Sequence, residues 1–120
     1  MSSIYLAGQG QLTQGEASID HPRPDRLVKG NPERLTYSLY EHPHMTCGIW
    51  QCEVGAWRIQ FAENKQEFFQ IIEGIVRIHN ADGSSFIEVK AGEAGIIPPA
   101  FKGTFEVVAT VKKYFVVVEV

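Results

Sequence analysis

Two carboxylates four residues apart, Glu63 and Glu67, offer the plainest chemistry in this chain. Brought together out of water, such acids acquire different proton affinities, so they could do acid–base work, bind a polar ligand or hold a hard cation. Glu67 stands between Gln66 and the apolar run Phe68-Phe69-Gln70-Ile71-Ile72, which marks it as a functional or buried polar residue. Glu63 stands beside Asn64 and Lys65, where a solvated position is the competing reading. His42-Pro43-His44 sets two imidazoles on one side of an extended segment, and with Cys47, Cys52 and the acids it contains the atoms of a non-standard metal site. The turn formers around it favour an exposed loop instead, and Pro43 keeps His42 out of a helix. Cys47 and Cys52 are five apart, on opposite faces of a regular strand, so neither a disulfide nor a shared metal is expected. His79, just before a turn at 81–83, is expected to be exposed. No dinucleotide-binding GxGxxG, P-loop, nucleophile-elbow or CxxC pattern occurs.

The elements that must position these groups are strands. From Leu35 onward the apolar residues recur at every second position: Leu35, Tyr37 and Leu39, then Trp57, Ile59 and Phe61. Residues 86–90 read FIEVK, and the chain ends in the β-branched, apolar YFVVVEV. Turn formers separate the runs at 64–65, 81–84, 91–93 and 98–103, and residues 80–85 predict a hairpin. Gly74, Gly83, Gly92 and Gly103 read as turn glycines with positive φ. Short strands with Gly and Pro turns indicate a sandwich or closed barrel. Residues 1–34 differ. Pro22, Pro24 and Pro32 argue against regular helix, so this part is read as an irregular arm with one short strand near residues 3–6. The domain proper is then 35–120, and 120 residues suffice for one core.

Positions 61 and 63 share a strand face with Trp57 and Ile59, and apolar bulk belongs inside, so that face is assigned to the interior. The spacing around it is distinctive. Gly55, five residues, Phe61-Ala62-Glu63, three residues, Glu67, six residues and Gly74 are followed by Gly92, five residues, Pro98-Pro99-Ala100, two residues and Gly103. This resembles the two motifs of the cupin superfamily, Gly-x5-His-x-His-x3-Glu-x6-Gly and Gly-x5-Pro-x-Gly-x2-His, with every interval kept. The strings GIWQCEVGAWRI, EFFQIIEGIVRIHNADG and AGEAGIIPPAFKGTFEV, with the lead-in GNPERLTYSLYE, resemble the small single-domain cupins akin to ureidoglycine aminohydrolase and the ethanolamine-utilisation cupins. The resemblance covers about residues 25–120.

That resemblance implies an all-β cupin jelly roll, with Glu67 directed into the barrel. It also implies that the three imidazoles of the usual metal site are replaced by Phe61, Glu63 and Gly103. Imidazole is what suits iron, manganese, zinc and nickel. No cofactor is therefore expected, with a weakly held divalent metal as the lesser alternative. Trp57, Phe61, Phe69 and Phe105 are core residues by default, and in a lumen they would line a pocket with Glu63 and Glu67. Phe105 stands where this branch commonly has Trp. Lys113 matches a recurrent basic position, free either to pair with a lumen carboxylate or ligand anion or to lie in solvent.

Three functions fit these residues: a metal-free binder of a small polar metabolite, an enzyme using Glu67 with Glu63 on a small nitrogenous or sugar-like substrate, and a structural or regulatory dimer with a filled core. Relatives of this branch hydrolyse an aminated ureido acid at a manganese site, whose imidazoles are missing here. The resemblance also implies a homodimer through sheet edges, which would protect the apolar last strand. With 11 Lys and Arg against 14 Asp and Glu, no basic excess favours nucleic acid. No apolar run is long enough for a membrane helix. The start lacks a secretory pattern, so a cytoplasmic location is expected, with both thiols free.

Overall fold

The computed structural model describes residues 4–120. Nine strands occur among them: β1 (Ser18–Asp20), β2 (Leu27–Lys29), β3 (Arg34–His42), β4 (Met45–Cys52), β5 (Gly55–Gln60), β6 (Lys65–Asn80), β7 (Phe86–Lys90), β8 (Ala94–Ile97) and β9 (Lys102–Glu119). The alternating runs at 35–39, 57–59 and 86–90 fall within β3, β5 and β7. The turn at 81–84 joins β6 to β7 with Gly83 at φ 73°. All pairings are antiparallel, and two long strands organise them. Residues 102–107 of β9 lie between β5 and the second half of β6. Residues 111–118 lie between β4 and the first half of β6. One layer is thus β2-β5-β9-β6-β7 and the other β1-β3-β4-β9-β6-β8, with β6 and β9 running through both. This is an all-β jelly roll. The apolar terminal strand needs no partner molecule to cover its edges, because β4, β5 and β6 already occupy them.

The passage from one layer to the other is made in β6. Its register against β9 shifts three times between Ile71 and Val76. Bulges of this kind bend a strand and increase its twist. Gly74 sits in this stretch at φ 91°. A Cβ there would run into the carbonyls of Ala109 and Thr110 and come within 2.8 Å of the Val111 Cα. Gly74 is therefore a bulge glycine inside one 16-residue strand, not a turn. Gly103 also departs from the turn reading. It is buried within β9, without positive φ, and a Cβ would strike the His79 carbonyl and the Phe101 ring.

Between the layers lies a core of Phe69, Ile71, Val76, Val107 and Val111, each no more than 1% exposed, packed with Trp57, Val89, Ile97 and Phe105. Each such side chain stabilises the fold by about 1.5–3 kcal/mol through burial alone. The first 34 residues are more ordered than their proline content suggests. A single helical turn, α1 (Gln9–Leu12), precedes the prolines. Pro24 opens a 3₁₀ turn, Pro24–Arg26, where the missing N–H costs nothing. β1 pairs with β3, and β2 with β5, so this segment covers its own barrel. Of the strand expected near residues 3–6, residue 3 lies outside the described residues, and Ile4–Leu6 are not in a strand. No helix among the described residues is long and apolar enough to cross a membrane.

Candidate functional site

Six strands direct side chains into one cavity of about 290 Å3 at the open end of the barrel. Thr36, Trp50 and Lys113 form a row of directly paired positions across β3, β4 and β9. Trp57 of β5 is paired with Phe105 of β9, their ring centroids 5.3 Å apart, and Trp50 meets Phe105 edge-on at 5.8 Å. Phe61, just beyond β5, forms part of the wall, and Glu67 enters from β6. The alternation of β5 explains the inward set, because Trp57 and Ile59 lie on one face and Phe61 continues it.

Lys113 is the single charged residue that is fully buried among those described. Its Nζ donates to Glu67 Oε2 at 2.7 Å, with only 6% and 12% of the two side chains exposed. The ammonium also lies 4.6, 4.7 and 4.9 Å from the ring centroids of Trp50, Phe69 and Phe105. A cation desolvated against an aromatic face gains about 2 kcal/mol or more, so the rings offset part of the cost of its burial. Arg34 stands 5.2 Å from the Trp57 ring and is held by two hydrogen bonds to the Asp20 carboxylate, at 2.8 and 2.6 Å. Lys65 lies over the Phe61 ring at 5.0 Å.

Trp57, Phe61, Phe105, Glu67 and Lys113 are thus brought together around one cavity. Phe69 lies beneath the site, fully buried, with its ring under the Lys113 ammonium. Glu63 does not join Glu67. β5 ends at Gln60, so the strand parity that pointed Glu63 inward stops short of it, and it lies exposed on the turn before β6. The partner of Glu67 is Lys113, 46 residues away in sequence. Trp50, Arg34 and Lys65 are the additional members. Trp50 shares strand parity with the buried Cys52, but Arg34 and Lys65 carry no sequence signal beyond their charge.

The other candidates lie elsewhere. His42 and His44 are exposed at the β3–β4 hairpin, where the His44 ring approaches the Glu119 carbonyl at 3.1 Å. His79 is partly buried rather than exposed, with Nε2 2.8 Å from Glu106 Oε1. Cys47 and Cys52 are free thiols, and burial pushes the Cys52 thiol up to about 12. The residues at the superfamily's metal positions do not fit a metal. Phe61 offers a ring already under an ammonium, Gly103 has no side chain, and Glu67 already has a cation. No group of three or more His, Cys, Asp or Glu side chains among the described residues is arranged to hold one.

Residues 41–115 match the family model of the EutQ-like cupin domain. The chain belongs to that family. Among solved structures, this EutQ-like cupin is similar to a protein of unknown function from Pseudomonas syringae pv. tomato, at 19% identity and a TM-score of 0.74 over 86% of this chain. It spans only 44% of that longer chain. It is also similar to Clostridium difficile EutQ, at 21% identity and a TM-score of 0.69, over 97% of this chain and 94% of that one. A putative ethanolamine utilization protein Q from Salmonella typhimurium shows 16% identity and a TM-score of 0.65, over 87% and 96%. At these identities the likeness is one of fold. No curated protein matches the chain. The family match includes Trp50, Trp57, Phe61, Glu67, Phe105 and Lys113 and leaves out Arg34 and everything before it.

Proposed function

We propose that this EutQ-like cupin binds a small polar metabolite in its barrel lumen without the superfamily's metal site. The observation that carries this reading is the Glu67–Lys113 ion pair on the floor of an open, aromatic-walled cavity. A barrel built only to be a core gains more from apolar residues there, since a buried ion pair rarely repays its desolvation in stability. An apolar cavity with a few convergent polar groups is the usual form of a small-molecule site. Its volume of about 290 Å3 suits a compact metabolite. The same cavity speaks against a filled structural core. Acid–base chemistry would have to run through Glu67 and Lys113, because Glu63 lies outside the cavity.

Both tryptophans of the chain line this cavity, so intrinsic emission reports its occupancy without a label. Titration with a panel of amino acids, dicarboxylates, sugars and sugar phosphates is expected to yield a compound that shifts this emission and raises Tm together. Phe105→Leu, which keeps apolar bulk but removes an aromatic wall, is expected to weaken that response. A panel in which no compound moves the emission would reject lumen binding.

A further inference from the structure

The charge around the lumen's mouth is strongly one-sided. A recess of about 200 Å3 adjoins the lumen and shares Arg34, Trp57, Ile59, Phe61 and Lys65 with it. Arg23, Arg26 and Arg58 complete its basic lining. With Lys113 below, six of the chain's 11 Lys and Arg residues line one or other cavity. The single acidic residue in the two linings is Glu67, which Lys113 already engages. Arg23 and Arg34 are offset by Asp25 and Asp20, carboxylates that are themselves more than half exposed. Arg26, Arg58 and Lys65 have no carboxylate within 4.0 Å among the described residues. The Arg58 Nη2 donates to the Asp25 backbone carbonyl at 2.7 Å, which fixes the guanidinium and leaves its other donors available. This arrangement stands in a chain of net charge −3, so it is a local concentration and not a consequence of composition. Like charges held around a recess focus the field and raise the local concentration of anions.

We propose that this mouth receives the phosphate of a small organic phosphate whose body enters the aromatic lumen. The inference rests on the lumen reading and adds the class of ligand. Several guanidinium groups approaching from different elements suit a tetrahedral anion with three terminal oxygens better than a flat carboxylate. Arg23 and Arg26 come from the 3₁₀ turn and its preceding residue, Arg58 from β5 and Lys65 from the start of β6. Closure of residues 18–34 over the barrel therefore builds the anion site as it builds the mouth.

Three probes with one phenyl body test this by calorimetry on the full chain: phenyl phosphate, phenylmalonate and phenol. Phenyl phosphate is expected to bind about tenfold or more tightly than phenol, to exceed phenylmalonate, and to shift the tryptophan emission. Inorganic phosphate should compete with it. The double variant Arg26→Gln/Arg58→Gln, at two positions that line the recess and not the lumen, should lose the advantage over phenol while phenol binding is kept. Arg26→Lys/Arg58→Lys, which preserves the charge, should retain it. Affinity for phenyl phosphate should fall as pH drops through about 6, where a phosphate monoester takes up its second proton. Phenol and phenyl phosphate binding equally, with emission shifted by both, would overturn the phosphate assignment and leave the lumen reading standing. Phenylmalonate binding more tightly would overturn it in favour of a dicarboxylate. Phenyl phosphate bound with no change in emission would place the anion at the mouth and reject the lumen for its body. Binding of none of the three rejects the proposal outright.

Discussion

Lys113 and Glu67 form the buried ion pair of the candidate site, and they also set its energetic balance. Replacing Lys113 by Met leaves a carboxylate facing the lumen without its cation, which is expected to cost about 3 kcal/mol of stability. Glu67→Gln keeps an acceptor for the ammonium and is expected to cost less, about 1–2 kcal/mol. Urea denaturation of both variants decides the order, and a Met variant as stable as the Gln variant contradicts it. Ala100 carries a second residue-scale effect. It stands where the superfamily pattern has Gly, and it adopts φ 64°, its N–H donating to the Ala62 carbonyl at 3.0 Å. A side chain in this region is strained by about 1–2 kcal/mol, partly balanced by the greater chain entropy of Gly. Ala100→Gly is therefore expected to raise Tm by a few degrees. Here the motif spacing made the backbone legible even though the residue type had changed. For Glu63 the spacing leaves the inward and the solvated positions open, and the turn that begins after Gln60 selects the solvated one. The Glu67–Lys113 pair was half legible. The resemblance marked both positions, but only the register of β6 against β9 makes them neighbours.

At the scale of elements, the sequence shows short strands well and long ones poorly. The period of two and the turn residues locate β3, β5, β7 and the 80–85 hairpin. They do not reveal that β6 continues from Lys65 to Asn80, because a glycine in mid-run looks like an interruption. The shifts of register around Gly74 depend on β9, some 35 residues on, and local pattern carries no information about them. Gly74→Ala is expected to cost at least about 3 kcal/mol, since it combines an unfavourable φ with collision against β9 backbone. Chemical denaturation measures this, and a loss under about 1 kcal/mol would mean that β6 can cross between the layers without the bulge. The order within residues 1–34 is hidden in the sequence for a related reason. Prolines exclude long helices and central strands, but they permit a 3₁₀ turn and edge strands, which is how residues 18–34 join the barrel.

For the whole molecule, the basic mouth is the feature least visible in the chain. Its cations are scattered from Arg23 to Lys65, and the composition, being slightly acidic, points away from them. Topology alone collects them. Stability against pH is also a property of the whole fold, and Cys52 gives it a defined signature. Burial raises the Cys52 thiol from 9.0 to about 12, so the folded state holds this proton more tightly than the unfolded chain does. Its contribution is complete below pH 9.0 and is lost as pH rises toward 12. Cys52→Ala should therefore lose less stability than the parent between pH 9.0 and 12, though it starts lower because it leaves a void. A parallel decline in both proteins would show that other groups control the alkaline limb. In the native state iodoacetamide should modify the half-buried Cys47 and spare Cys52 until the protein unfolds.

Because β9 is clasped along both margins, no segment of it can peel away without unzipping ladders in both layers at once. Its amides should be the last to exchange with deuterium, and their exchange should report opening of the entire barrel rather than fraying at one edge. A folding chain meets the same constraint in reverse. The lumen cannot exist until this one strand has found its neighbours β4, β5 and β6, so protection of its walls against proteolysis should appear in a single late kinetic phase.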